Sequence, residues 1–351
     1  MTENAMPTPA EIRAYRAENA KMRERDIAAN LGISEAALVA AEVGISVTRI
    51  EADPNKLLAR APEFGTVMAL SRNESAVHEK IGVYEAITIG EKTSLTLGEN
   101  IDLRIFNWVW AHAFAVTKTD GETVRRSLQY FDKSGEAIHK IHLRPESNLE
   151  AYESFVADHK IEDQSQEFAA QPFTKLAAGR TEGFDVAELR DSWSKLTDTH
   201  EFFGMLKKLD IERRAAVQNV GPDFAWMLAD GAAEEFFRKS VETQINLMCF
   251  VNNRGIVQIH TGPIQNVAPM GPWLNVMDPT FHLHLRADHI AEAWAVRKPT
   301  KDGHVTSVEC YDKDGEMIIQ FFGKRKEGNA EMAEWRSLVE SLSTTDAAAA
   351  A

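Results

Sequence analysis

FDKSGEAI, residues Phe131–Ile138, recurs 180 positions later as YDKDGEMI, residues Tyr311–Ile318. Each copy has polar residues and a glycine at its centre, and alternating apolar and polar positions on both sides. This pattern is typical of a β-hairpin whose turn contains Asp, Lys and Gly. The sequence therefore predicts two hairpins of the same design.

The similarity extends beyond the turns. Residues 101–144 and 281–324 align without a gap, and about a dozen of their positions are identical. Apolar residues at helical spacing predict an amphipathic helix after each hairpin. These residues are Leu149, Tyr152, Phe155 and Val156 in the first copy, and Met332, Trp335, Leu338 and Val339 in the second. A repeat of this length indicates an internal duplication.

The order of elements predicts the α+β class, because the strands cluster in the middle of each copy with helices before and after them. We expect two similar halves, each an antiparallel β-sheet packed with helices, related by a pseudo-twofold axis. The polar, aperiodic segment 159–183 is interpreted as a linker. The N-terminal repeat is thus predicted at 1–175 and the C-terminal repeat at 176–351, with a single ligand site in the cleft between them.

Composition narrows the class of protein. The 351 residues include 39 Lys and Arg against 53 Asp and Glu, a net charge of −14. Such a surface is poorly suited to nucleic acid or anionic lipid. The N-terminus lacks the apolar core of a signal peptide, and no apolar stretch is long enough to span a bilayer. With only two cysteines in the chain, we expect a cytoplasmic protein without a membrane span.

Residues 23–44 have the spacing of a helix-turn-helix, with Gly32 in the turn and Ser34 as the cap of the second helix. This leaves DNA binding as an alternative function. The second helix carries Glu35 and Glu42 but no Lys or Arg to meet phosphates, so a structural helix pair is the favoured interpretation.

A metal enzyme is another alternative. His282 and His284 lie two positions apart on a predicted strand, and His260 lies on another. Such histidines, together with a carboxylate, are common metal ligands. Hydrogen-bonded core histidines are the favoured interpretation of the same pattern.

His200 lies in WSKLTDTHEFFGMLKKL, where helical spacing puts Trp193, Leu196, His200 and Phe203 on one stripe. From spacing alone, a buried core histidine is favoured. The alternative is a ligand to haem iron, since haem needs one imidazole, aromatic walls and cations for its propionates. Candidate walls and cations are Phe202, Phe203, Phe250, Lys298 and the run Lys324, Arg325, Lys326.

These residues lie in motifs that resemble the cytoplasmic haem-trafficking and haem-degrading proteins of Gram-negative bacteria, the HemS, ChuS and HmuS type. The resemblance covers nearly the whole chain. It includes L-R-x-F at 103–106, W-x-H-A-F at 110–114, D-x-H-x-F-F at 198–203, D-P-x-F-x-L-H-L from 278 and F-F-G-K-R from 321.

The resemblance implies a role for six residues. His200 matches the axial ligand of the haem iron, and Arg104 matches the arginine at the opposite haem face, the predicted catalytic residue. Phe106 matches the aromatic residue beside that arginine. Phe250, Lys298 and Arg325 match residues that wall the ring or hold the propionates. Ile319 departs from the pattern, because a polar or aromatic side chain is expected there.

The resemblance also implies a function. The protein would receive haem from an importer and either carry it to a separate haem oxygenase or degrade it oxidatively to release iron. No flavin or nicotinamide motif is present, so an enzyme would need an external electron donor. The sequence leaves open the choice between carrier and enzyme, the product, the donor, the sixth iron ligand, and a monomeric or homodimeric state.

Overall fold

The computed structural model describes residues 6–174, 179–325 and 328–345, which form two compact units. The first unit contains the described residues of 1–72, 79–174 and 252–258, and the second contains those of 73–78, 175–251 and 259–351. Both consist of antiparallel strands packed with helices, so the predicted α+β class is confirmed.

The helices of the first unit precede, interrupt and follow its strands. They are α1 (Pro9–Glu18), α2 (Glu24–Leu31), α3 (Glu35–Ala40), α4 (Pro54–Arg60) and α5 (Leu149–His159), with 3₁₀ turns at Ala61–Phe64 and Asn107–Val109. The strands are β1 (Val47–Ile50), β2 (Val67–Arg72), β4 (Ile87–Thr88), β5 (Thr93–Leu97), β6 (Asp102–Phe106), β7 (His112–Asp120), β8 (Thr123–Phe131) and β9 (Ala137–Leu143). They pair in the orders β1-β7-β8-β9-β2 and β4-β5-β6.

The second unit repeats this arrangement. Its helices are α6 (Val186–Ser194), α7 (Glu201–Leu209), α8 (Arg213–Asn219), α9 (Ala232–Thr243) and α10 (Ala333–Glu340), with a 3₁₀ turn at Ala287–His289. Its strands are β10 (Ala225–Met227), β11 (Leu247–Asn252), β13 (Val267–Met270), β14 (Trp273–Met277), β15 (Phe281–Arg286), β16 (Glu292–Thr300), β17 (Gly303–Tyr311) and β18 (Met317–Gly323). They pair in the orders β10-β16-β17-β18-β11 and β13-β14-β15.

The two predicted hairpins are confirmed as β8–β9 and β17–β18. In each turn an aspartate caps the backbone: Asp132 Oδ1 accepts from the Ser134 amide at 2.8 Å, and Asp312 Oδ1 accepts from the Asp314 amide at 2.9 Å. The glycines of the two turns have φ angles of 83° and 81°, which glycine adopts without steric cost. The predicted helices after the hairpins are confirmed as α5 and α10.

Two strands are divided between the units. β3 (Ala76–Gly82) belongs to the second unit up to His78, and β12 (Ile256–Gly262) belongs to the first unit up to Gln258. The exchanged segments, 73–78 and 252–258, occupy corresponding places in the two repeats. The sequence prediction of one boundary, between 1–175 and 176–351, did not include this exchange, and the assignment of the repeats to those ranges stays a prediction.

Each unit buries its own apolar core between sheet and helices. In the first unit α5 packs Tyr152 and Phe155 against sheet residues such as Leu128 and Ile141. In the second, Trp335 and Leu338 of α10 pack with Phe236 of α9 against Val308 and Phe321. The apolar face of each helix after the hairpin is therefore what fixes it on the sheet.

The helix-turn-helix of the sequence exists as α2 and α3, with Gly32 at φ 66° and the Ser34 side chain accepting from the Ala37 amide. However, every residue of α3 is buried. Its first residue, Glu35, forms ion pairs with Arg72 and Lys140. The buried helix cannot lie in a DNA groove in this conformation. The structure therefore favours a structural role for α2 and α3 over DNA binding.

Residues 160–174 are packed on the first unit rather than linking two bodies. The buried Arg49 side chain donates to the carbonyl oxygens of Ser165 at 2.8 Å and Glu167 at 2.6 Å. The Phe168 ring packs edge-on against His112, with ring centroids 4.7 Å apart. The predicted linker is therefore wrong for this part, and positions 175–178 of it lie outside the described residues.

Across the described ranges, every helix falls short of the length and apolar character that crossing a membrane would require.

Candidate functional site

One face of the β10-β16-β17-β18-β11 sheet carries the candidate haem residues Phe250 and Lys298, and we call it the helix-side face. Strand register puts its members side by side, because paired residues share a face. They alternate with core residues such as Val308, Cys310 and Phe321 on the opposite face. The members of the helix-side face include Met248, Phe250, Trp294, Val296, Lys298, Ser307, Glu309, Gln320 and Phe322.

Helices α6, α7 and α8 pack on part of this face. Leu189 and Trp193 of α6 and Phe202 of α7 form a buried cluster with Trp294 and Val296 of the sheet. The rest of the face, towards β11 and β18, is partly exposed. There the Phe250 and Phe322 rings meet edge-on with centroids 5.2 Å apart. The result is an aromatic surface that borders the helices.

His200 lies in the turn between α6 and α7 and immediately precedes α7. Its side chain is 88% exposed, and its Nδ1 lies 2.6 Å from Oδ1 of Asp198. The predicted stripe was wrong because it assumed one continuous helix: α6 ends at Ser194 and α7 begins at Glu201. His200 is therefore not a core histidine, and its Nε2 is the nitrogen left for a ligand.

Glu201 explains why the chain starts a new helix here. Its carboxylate accepts from the backbone amides of Thr197 at 2.8 Å and Asp198 at 3.2 Å. A carboxylate that reaches back to amides just before a helix is a common N-terminal signal. On the other side, the Lys301 amide donates to the Thr197 carbonyl at 3.0 Å. The start of the turn that carries His200, at Thr197 and Asp198, is thus held by both Glu201 and Lys301.

Lys298 lies on the helix-side face but is almost completely buried. Its Nζ lies 2.9 Å from Oε1 of the buried Glu309 and 4.7 Å from the centre of the Phe202 ring. Burial lowers the pKa of Lys298 to about 8, although the Glu309 carboxylate opposes this shift. The predicted propionate contact of Lys298 stays a prediction, since in this structure its ammonium group is paired with Glu309.

The cluster around Glu309 was missed by sequence reasoning. Arg213, at the start of α8, donates to both oxygens of Glu309, at 2.7 and 3.1 Å. Tyr311 donates to Oε2 at 2.6 Å, and Gln320 donates to Oε1 at 2.8 Å. Burial alone would raise the pKa of Glu309, but the Arg213 and Lys298 charges hold it well below its usual value. One carboxylate thus faces two cations, and the buried cluster has a net charge of +1.

The other predicted residues of the second unit have distinct surroundings. Phe202 is buried against Trp193, with ring centroids 4.6 Å apart, whereas Phe203 is 75% exposed one residue further on. Arg325 is partly buried just after β18, and its charge acts on Asp198, whose pKa is lowered chiefly by hydrogen bonding from the His200 amide. Lys326 lies outside the described residues.

Ile319 is fully buried in the core, on the opposite side of the sheet from Phe250. Its departure from the family pattern therefore leaves the helix-side face unchanged.

Arg104 and Phe106 lie on β6 of the first unit. The Arg104 guanidinium is about one-third exposed and forms an ion pair with Asp102. Burial raises the pKa of that aspartate, against the attraction of Arg104. Phe106 packs on the exposed Trp108, with ring centroids 5.5 Å apart. The roles predicted for Arg104 and Phe106 at the haem stay predictions.

The alternative metal site has little support. His284 Nδ1 lies 2.7 Å from the side-chain oxygen of Asn275, and the His260 ring stacks on Phe281 with centroids 3.9 Å apart. Within residues 6–174, 179–325 and 328–345, no three His, Cys, Asp or Glu side chains are grouped so that they could hold a metal ion.

The duplicated fold defines a protein built from two copies of one α+β domain. Both copies match the family model described as the haemin-degrading HemS.ChuX domain, at residues 32–159 and 210–342. The chain belongs to this family, and the resemblance seen in the sequence is confirmed.

Characterised relatives are similar over nearly their whole length. The chain is 38% identical to the hemin transport protein HemS of Yersinia enterocolitica over 336 residues, 95% of this chain and 96% of the relative. The crystal structure of holo-PhuS, a heme-binding protein from Pseudomonas aeruginosa, shares 40% identity over 97% of this chain and all of that one, with a TM-score of 0.93. ChuS, described as an E. coli heme oxygenase, shares 34% identity over 94% and 99% of the two chains, with a TM-score of 0.85.

Proposed function

We propose that this protein binds haem in the cytoplasm, with His200 as the ligand of the iron, and takes part in handling imported haem. The observation that carries this proposal is the His200 side chain: it is 88% exposed, and its Nδ1 lies 2.6 Å from Oδ1 of Asp198, which leaves Nε2 as the nitrogen for a ligand. Family membership and similarity to a hemin transport protein and a heme-binding protein support it.

The unit that contains His200 carries the residue types that haem requires. A porphyrin needs apolar contacts, and Phe250, Phe322 and the exposed Phe203 offer aromatic rings in the same unit. Its two propionates need cations. Arg325, close enough to act on Asp198, and the cluster of Arg213, Lys298 and Glu309, with its net charge of +1, provide positive charge.

Absorbance titration with ferric haem tests the proposal. Wild type should develop a saturating one-to-one Soret band, and His200→Ala should bind more weakly with a shifted band. His304→Ala is the matched control, because His304 lies on β17 in the same unit but outside the helix-side face. If wild type does not saturate at one equivalent, the proposal fails. If His200→Ala matches wild type, another residue holds the iron.

Haem degradation is a second candidate function, favoured by the family description and by the similarity to ChuS. Bound haem would supply the iron centre and the macrocycle that reacts with oxygen and reductant, while the protein holds and orients it. Arg104, always protonated, is the predicted catalytic residue. Breakdown of bound haem by ascorbate in the presence of catalase, faster than that of free haem and slowed in Arg104→Gln, would support an enzyme.

As a pure carrier, the protein would instead receive haem from an importer and deliver it unchanged to a separate oxygenase. Mixing the haem-loaded protein with such an oxygenase distinguishes the two cases. A carrier predicts stoichiometric transfer of intact haem. An enzyme predicts that the Soret band is lost when reductant and oxygen are supplied without the added oxygenase.

A further inference from the structure

Asp198 makes two hydrogen bonds to the same residue. Its Oδ1 accepts from the His200 backbone amide at 2.8 Å and lies 2.6 Å from His200 Nδ1. The oxygen of an ionised carboxylate can only accept a hydrogen bond. In a neutral His200 imidazole, the proton therefore resides on Nδ1. Nε2 then carries the lone pair that a metal needs.

Packing does not orient the His200 ring, because the side chain is 88% exposed. Asp198, with 27% of its side chain exposed, is the firmer partner. Its own amide is held by Glu201, and the neighbouring Thr197 carbonyl accepts from the Lys301 amide. The hydrogen bond that the imidazole donates to this fixed carboxylate is therefore what sets the direction of Nε2.

We propose that Asp198 is a positioning residue that fixes the tautomer of His200 and makes the site prefer ferric over ferrous haem. The inference rests on the proposed haem binding by His200. A carboxylate that accepts from the far nitrogen of a ligating histidine makes the imidazole a stronger electron donor. Stronger donation stabilises iron with the higher positive charge, so ferric haem gains more than ferrous haem.

A purely structural role predicts something different. An aspartate that accepts a hydrogen bond from the amide two residues later is common in turns. In a purely structural role, Asp198 would stabilise the turn and have no effect on the haem iron. Asp198→Asn separates the two roles, because the amide oxygen can accept the same two hydrogen bonds without the negative charge. Asp198→Ala removes both the charge and the acceptor. Asp191→Asn is the matched control, since Asp191 is an exposed aspartate of the adjacent α6 that pairs with Lys195.

The experiment measures the midpoint potential of the bound haem and its affinity in both oxidation states for wild type and the three variants. We expect a more positive potential in Asp198→Asn, with ferric affinity weakened on the order of tenfold and ferrous affinity changed less. In the ferrous state, the iron–histidine stretching band in the resonance Raman spectrum should move to lower frequency. Asp198→Ala should show a larger loss of affinity, and Asp191→Asn should match wild type.

Three results would overturn the assignment. One is an Asp198→Asn potential and stretching band equal to those of Asp191→Asn. Another is equal weakening of ferric and ferrous binding. The third is wild-type ferric and ferrous affinity in Asp198→Asn together with weakened binding in Asp198→Ala, which would mean that Asp198 acts through the turn alone. Failure of the proposed function itself is distinct, because wild type would then bind no haem.

Discussion

Asn73 donates a hydrogen bond from its side-chain amide to the carbonyl oxygen of Ile318, at 2.8 Å. Asn253, 180 positions after Asn73, makes the corresponding bond to Ile138 at the same distance. Each asparagine also accepts, through its side-chain oxygen, from the amide two residues later. The two repeats therefore use one turn design twice, and each turn is packed in the unit built mainly from the other repeat.

Asn73→Ala should destabilise the protein by about 1–3 kcal/mol, because it leaves the Ile318 carbonyl and the turn amides without this partner. Chemical denaturation monitored by circular dichroism measures the change. Asn253→Ala should cost a similar amount. Asn246→Ala, at an exposed position before β11, is the control. If Asn73→Ala lowers the free energy of unfolding no more than Asn246→Ala does, the turn does not have the stabilising role assigned to it.

Glu309→Gln should destabilise the apo-protein by about 3–5 kcal/mol, since it leaves the buried Lys298 ammonium beside the partly buried Arg213 guanidinium without a carboxylate. Lys298→Met should cost less, because Glu309 keeps Arg213. Urea unfolding of the two variants ranks them. The reverse ranking would show that Glu309 does not hold this cluster together.

Stability in acid should depend on His139. Its ring is buried between the Ser71 hydroxyl at 2.8 Å and the Tyr84 hydroxyl at 2.6 Å, and burial lowers its pKa to about 3. In the unfolded chain the pKa of this histidine has its usual value of about 6.5. Below that pH the unfolded chain binds a proton at His139 that the folded chain does not bind. The free energy of unfolding should therefore fall between pH 6.5 and 3, and less steeply in His139→Gln. Parallel curves would contradict this.

Arg325→Ala should weaken haem binding by roughly two- to fivefold, the size expected for a partly exposed charge pair. The difference from wild type should shrink as salt is raised, because salt screens such pairs. Lys324→Ala, at the exposed neighbouring position, tests whether any loss of positive charge has the same effect. Equal losses in the two variants would mean that Arg325 makes no specific contact.

Local patterns in the sequence predicted the hairpins and the helices that follow them. The aspartate and glycine of each turn act within five residues, and the apolar stripes of α5 and α10 are properties of single helices. The exchange of the 73–78 and 252–258 segments could not be seen in this way. It depends on contacts between residues more than 100 positions apart, such as Asn73 with Ile318.

The candidate site was predicted only in part. His200 was found by its residue type and by the family motif, but its surroundings were wrong because helical spacing was continued through residues 195–200. The Thr197 and Asp198 positions, followed by Glu201, were the available signal for a helix start. Glu309 could have been found as a charged residue at an inward position of an alternating strand, although its partner Arg213 lies 96 positions away.

The proposed function depends on the bond between the His200 imidazole and the haem iron. A crystal structure of the haem-loaded protein, with the iron located from its anomalous scattering, tests it most directly. We expect one iron peak within bonding distance of His200 Nε2, with Nδ1 still hydrogen-bonded to Asp198. Iron bonded to a different side chain, or haem bound away from His200, would contradict it.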